Sequence, residues 1–223
     1  ITGTDGVDGW TMTGTLHIGD AVSLDADITG TMSFQNPIRS NGADPWLFFH
    51  DGNYYYIATQ GSRLDLYRAA NIGDLATTPA TVIYTPAAGK EWSKNLWSPE
   101  VHYFSAEDVG EADAGWYCFL GSDSGTGKET GGGFGGQRAY VIKCLDGNNL
   151  LGRWGNPLTG EVNVPLRVTA PDMPGFDDVW AAGMTDIRIG GKVYTMYVTV
   201  VDDGGGKKHQ TINILPMTNP WTL

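Results

Sequence analysis

Two carboxylates flank proline at the head of apolar, aromatic-rich stretches: Asp44 before Pro45 in SNGADPWLFFHDGNYYYIATQ, and Glu100 after Pro99 in NLWSPEVHYF. A carboxyl group can take a proton from water or give one to a departing oxygen, so acids gathered from separate strands suit general acid–base chemistry. Pro45 biases Asp44 towards extended backbone, although an Asp before Pro can equally cap a turn. Trp46, Trp92, Trp97 and Trp180 lie near expected loop-to-strand transitions. An indole face there could stack on the C–H side of a sugar ring, with ordinary packing the plainer role for any one of them. His102 and His50 could serve a central cation or a sugar hydroxyl, or sit in an ordinary hydrogen bond. The four histidines lack metal-ligand spacing, so no dedicated protein metal cage is expected.

The elements that would position these groups repeat along the chain. Three segments, beginning at Asp44, Ser98 and Ala182, each read as strand, turn, aromatic-rich strand, Gly-rich loop and strand. They align on Tyr54, Tyr117 and Tyr194. Within a unit the apolar residues recur with a period near two, as at Leu64 and Leu66, Ile187 and Ile189, or Ile212 and Ile214. HDGN (50–53) and IGGK (189–192) carry the Asp-Gly and Gly-Gly pairs that tight hairpins favour. These features predict an all-β chain of antiparallel meanders stacked as propeller blades. About three blades are expected, roughly 36–90, 91–165 and 166–223, after an N-terminal β segment over 1–35. Three blades do not close a ring of four to eight, so the propeller is expected to be incomplete at its C-terminal end, the rest supplied by missing chain or a second polypeptide.

Composition narrows the partners. Its 223 residues suit one large all-β domain, and the 32 glycines, 10 tyrosines and 8 tryptophans suit short strands and tight turns. A net charge of -11 argues against nucleic acid and anionic membranes. No apolar run is long enough to span a bilayer, and with no charged-then-apolar leader the chain reads as a mature soluble one. Cys118 and Cys144 fall in neighbouring strand-like runs, which leaves a disulfide and two buried thiols both open. The stretch GSDSGTGKETGGGFGGQ (121–137) fails the phosphate-loop pattern, because Lys128 is followed by Glu129; it reads as an insertion near a substrate channel.

From about Asn36 to Leu223, the Asp-Pro start of the first unit, the Trp-Ser-Pro-Glu start of the second and the terminal MTNPWTL resemble the family 43 glycoside hydrolases. The resemblance implies a five-bladed β-propeller, extracellular, acting on arabinose- or xylose-containing plant polysaccharides or oligosaccharides by inversion. In inversion a carboxylate activates water while an acid about 6.5–9.5 Å away protonates the leaving oxygen. Asp44 matches the family's general base. Glu100, with Trp46, Trp97, His102 and Trp180, is expected to line the substrate channel. No organic cofactor is implied, while a structural calcium on the propeller axis, held by some relatives, is one option. The family's third carboxylate, which tunes the acid, should stand as far before Gly191 as Asp44 stands before Gly52, but that position is Gly183. Asp186 is the nearest candidate, with Asp177 and Asp178 as alternatives; its odd displacement turns it to the opposite face unless a bulge restores the phase. The family's acid, a Glu beyond the segment resembling NPWTL, has no counterpart in this chain. A carbohydrate-binding propeller that lost catalysis is the alternative reading.

Overall fold

The computed structural model describes residues 37–125, 136–171, 182–202 and 208–223. The expected N-terminal β segment and most of the Gly-rich stretch 121–137 lie outside the described residues, as do Asp177, Asp178 and Trp180.

The strands form three antiparallel sheets, each a meander in chain order. The first contains β1 (Trp46–His50), β2 (Asn53–Ile57), β3 (Leu64–Ala69) and β4 (Thr81–Tyr84). The second contains β5 (Lys94–Phe104), β6 (Gly115–Asp123), β7 (Arg138–Cys144) and β8 (Trp154–Gly155), with β9 (Leu166–Arg167) also paired to β7. The third contains β10 (Ala182–Ile189), β11 (Lys192–Asp202) and β12 (Lys208–Pro216). Among the described residues no helix is long and apolar enough to cross a membrane.

Local chemistry explains the turns. His50 faces Asn53 across a two-residue loop in which Asp51 and Gly52 have φ of 46° and 72°. Ile189 faces Lys192 across Gly190 and Gly191, at 59° and 75°. Positive φ at both central residues matches the right-handed twist of the flanking strands, which is why Asp-Gly and Gly-Gly stand there. The second sheet departs from this plan. Between β5 and β6 the chain forms a short helix, α1 (Ala106–Val109), closed by a capping box in which Ser105 and Asp108 satisfy one another's backbone N–H groups.

The sheets pack face to face like blades, and β6 shows how. Its side chains alternate between two cores. Cys118 and Leu120 join Ile57, Leu64, Leu66, Leu96 and Val101 in the seam with the first sheet. Tyr117 and Phe119 join Phe104, Val141, Met184 and Tyr197 in the seam with the third. Each fully buried large side chain contributes about 1.5–3 kcal/mol, so the two seams hold the three blades as one body. Cys118 and Cys144 are both free, buried thiols in the first seam, so the disulfide alternative is not formed. In register Cys118 faces Ile142 while Cys144 faces Trp154.

Candidate active site

Asp44, just before β1, Ser98, within β5, and Gly183, the second residue of β10, come together at one end of the seams. Asp44, Ser98 and Gly183 all occupy the left-handed region, with φ of 50°, 46° and 74°. For Asp44 this overturns the extended conformation expected before Pro45. The proline disfavours the right-handed helical region, and Asp is among the few side-chain residues that tolerate the left-handed one. A hydrogen bond holds it there: Thr59 Oγ1 donates to Asp44 Oδ2 at 2.7 Å. The Ser98 amide donates to the same Thr59 oxygen at 2.7 Å, so the first two blade starts are tied through one hydroxyl. A Cβ added to Gly183 would point at Ser98, 3.9 Å from its Cβ. Asp44 itself is exposed to solvent.

Below this rim a line of alternating charges runs along the seam between the second and third sheets. Glu100 and His102 lie on one face of β5, two residues apart as strand periodicity requires, with His102 Nε2 3.1 Å from Glu100 Oε2. His102 Nδ1 meets Asp186 Oδ1 from β10. Asp186 also pairs with Arg188, whose guanidinium continues to Asp108 at 3.0 Å and to the Tyr103 carbonyl at 3.0 Å. The side chains of Asp186 and His102 are 2% and 9% exposed, and that of Glu100 is 20% exposed, the open end of the line.

Both ring nitrogens of His102 face carboxylate oxygens, an arrangement that favours the protonated ring because an ionised carboxylate only accepts. Burial opposes that charge, but hydrogen bonds and charges from Asp186 and Glu100 outweigh it and raise the His102 pKa above its ordinary value. Burial likewise pushes the Asp186 carboxyl up, yet His102 and then Arg188 hold it below the usual range. Among the described residues no cluster of three or more His, Cys, Asp or Glu could hold a metal ion.

The bulge that would restore the phase of Asp186 exists in β10, between Ala182 and Met184, but it lies upstream of Asp186. From Asp186 to the hairpin the ladder is regular, with Asp186 opposite Thr195. Asp186 therefore faces the second sheet within the seam.

The aromatic residues are used unevenly. Trp46 is half-buried; its indole N–H donates to the Val101 carbonyl at 2.9 Å and its ring lies 4.7 Å from that of His102. Trp97 is half-buried opposite Gly121, and Trp92 packs against the first core. His50 sits against Trp116 with ring centroids 4.6 Å apart, away from His102. Thr59, Arg188 and Asp108 were not singled out from sequence, and Ser98 was named only as the start of the second repeat. Arg188 carried a signal as the residue that shares a strand face with Asp186, and Asp108 carried one as the third residue after Ser105, the spacing of a capping box.

In fold and in sequence the chain is similar to α-L-arabinofuranosidases. The chain is 29% identical over 164 residues to an extracellular exo-α-(1→5)-L-arabinofuranosidase of Streptomyces avermitilis, a match covering 72% of this chain and 31% of that one. It is 26% identical over 204 residues to the α-L-arabinofuranosidase 43 of Humicola insolens, covering 89% of this chain and 36% of that one. Among solved structures it is similar to an α-L-arabinofuranosidase from Lactobacillus brevis, with a TM-score of 0.64, 25% identity, and 85% of this chain and 53% of that one covered. A family 43 β-1,3-galactosidase shares the fold, with a TM-score of 0.50 and 13% identity over 81% of this chain and 33% of that one. No protein-family model matches the chain. The chain spans about a third of the length of these two curated relatives, 31% and 36%.

Proposed function

We propose that the chain forms the first blades of a secreted glycoside hydrolase that acts on arabinose- or xylose-containing plant polysaccharides or oligosaccharides, inverting the anomeric centre with Asp44 as general base. The observation that carries this reading is Asp44 itself: an exposed carboxylate, aimed by the Thr59 hydroxyl, at the end where three blade starts gather. In this reading Asp44 takes the proton from a water as that water attacks the sugar carbon. The protonating acid lies about 6.5–9.5 Å away and comes from outside these 223 residues, on the same polypeptide or a second one carrying the remaining blades. Glu100, Trp46, Trp97 and His102 bound the channel, with Trp180 as a further stacking candidate. Asp186 works through His102, fixing the imidazolium that in turn orients Glu100. The partner is a carbohydrate; the net charge of -11 disfavours nucleic acid and anionic membranes. The naming of the Streptomyces relatives as extracellular supports secretion.

Replacing Asp44 by Asn in the full-length protein is expected to lower turnover of 4-nitrophenyl α-L-arabinofuranoside by about 10² to 10⁴, the range for a transition-state base. Unchanged turnover would refute the assignment. One observation favours a carbohydrate-binding propeller without catalysis: Gly183 stands where the resemblance calls for a third carboxylate. Oligosaccharide binding by calorimetry with no product after long incubation would establish that alternative.

A further inference from the structure

We propose that Thr59 is the positioning residue for the Asp44 carboxylate, passing the geometry of the second blade to the proposed base through a hydroxyl whose proton has one destination. This rests on the reading of Asp44 as general base. A threonine hydroxyl has one proton and two lone pairs. The Ser98 amide, 2.7 Å from Thr59 Oγ1, can only donate, so it takes a lone pair. The hydroxyl proton is then directed at Asp44 Oδ2, also at 2.7 Å. Direction along the relay is thereby fixed: Ser98 amide to Thr59 to Asp44.

Both ends of the relay are anchored. The Thr59 amide donates to the Ala43 carbonyl at 2.9 Å, which fixes it against the residue before Asp44. Two residues on, Gly61 exchanges backbone hydrogen bonds with Leu96 of β5 at 3.4 and 3.1 Å. Thr59 is half-buried between these points, and its branched Cβ leaves few χ1 choices. Asp44 and Ser98 both hold left-handed backbone, a conformation that persists in side-chain residues only where the surroundings over-determine it. The Thr59 hydroxyl is the group that touches both. It engages one oxygen of the carboxylate, and Asp44 Oδ1 has no protein partner among the described residues, which leaves that oxygen for the nucleophilic water.

The test is a set of variants in the full-length protein, assayed on 4-nitrophenyl α-L-arabinofuranoside: Thr59→Val, Thr59→Ala, Thr59→Ser, Asp44→Asn and the Asp44→Asn/Thr59→Val double variant. Valine keeps the shape and removes the hydroxyl. Thr59→Val and Thr59→Ala are expected to lower kcat by about 10- to 100-fold, the scale of a misplacement near one ångström, with KM within about twofold. Serine should restore most of kcat, and in the Asp44→Asn background Thr59→Val should cost nothing further. Melting midpoints separate lost aim from lost fold, and if valine prevents folding the alanine variant carries the comparison. Inactive Asp44→Asn with wild-type kcat in Thr59→Val or Thr59→Ala overturns the role of Thr59 alone, as does a loss that Ser fails to rescue. Active Asp44→Asn overturns the base assignment, and the positioning role falls with it.

Discussion

His102→Gln removes the one cation that Glu100 and Asp186 share while leaving an amide able to donate a hydrogen bond. Breaking a buried ion pair from one side costs about 3–5 kcal/mol, because the partner charge stays buried. Asp186 keeps Arg188 as a second cation and Glu100 is partly solvated, so the low end applies, about 3 kcal/mol. For a chain of this size that is a fall in melting temperature of roughly 6–12 °C. The pH dependence is the sharper test. Burial works against the His102 charge, but Asp186 and Glu100 raise its pKa in the folded state. The folded protein thus holds this proton more tightly than the unfolded chain. Its contribution is complete below the unfolded histidine value of about 6.5 and fades as pH rises through the folded value. Asp186 behaves oppositely: held below its ordinary range, it contributes above about pH 3.9 and loses that contribution as pH falls through its folded value. Wild-type protein should therefore lose stability in urea titrations as pH rises above about 6.5, and His102→Gln should lack that component of the decline. A variant within about 0.5 kcal/mol of wild type at pH 6, the usual effect of an uninvolved surface site, or one with the same decline as pH rises above about 6.5, would refute the charge placed on His102.

Two further outcomes follow from the geometry. Burial pushes the thiols of Cys118 and Cys144 up, away from the reactive thiolate; a thiol reagent should modify neither in the native protein and both in denaturant, and rapid native labelling would contradict the packing. Gly183→Asp should fold with a cost of about 1 kcal/mol, because the nearest atom to its new Cβ is 3.9 Å away and Asp44 adopts the same backbone region at the corresponding place. Turnover should rise in the hydrolase reading and stay absent in the binding reading, and failure to fold would show that the blade start cannot accept a side chain.

The meanders were legible in sequence because their causes are local. Asp51-Gly52 and Gly190-Gly191 meet a φ requirement that few other pairs satisfy, and period-two alternation fixes which residues share a face. Glu100 and His102 belong together for the same reason. The capping box of α1 was also written locally, in Ser105 and Asp108, but the strand pattern on either side drew the reading towards a turn. What could not be read is what the seams create. His102 meets Asp186, and Thr59 meets Ser98, only because one sheet lies against another. No spacing rule along the chain encodes a contact made by packing, and the left-handed backbone at Asp44 ran against its proline context until Thr59 was seen to hold it.

The phase of the strands explains why the third blade differs at both ends of the seam. Trp46 and Phe48 of β1 face the second sheet from one side, whereas Met184, Asp186 and Arg188 of β10 face it from the other. Measured from their hairpins these are opposite phases, as they must be when repeated units stack front to back. A carboxylate displaced by an odd number from the blade start is therefore a seam residue, and a seam carboxylate needs cations. His102 and Arg188 supply them. At the rim, Gly183 leaves space beside Ser98. The register of β10 places Asp186 in the seam, whereas the missing rim charge is a matter of which residue stands at 183. Moving a carboxylate back to 183 would leave the ion line of the seam intact, which is why the two positions can be tested independently.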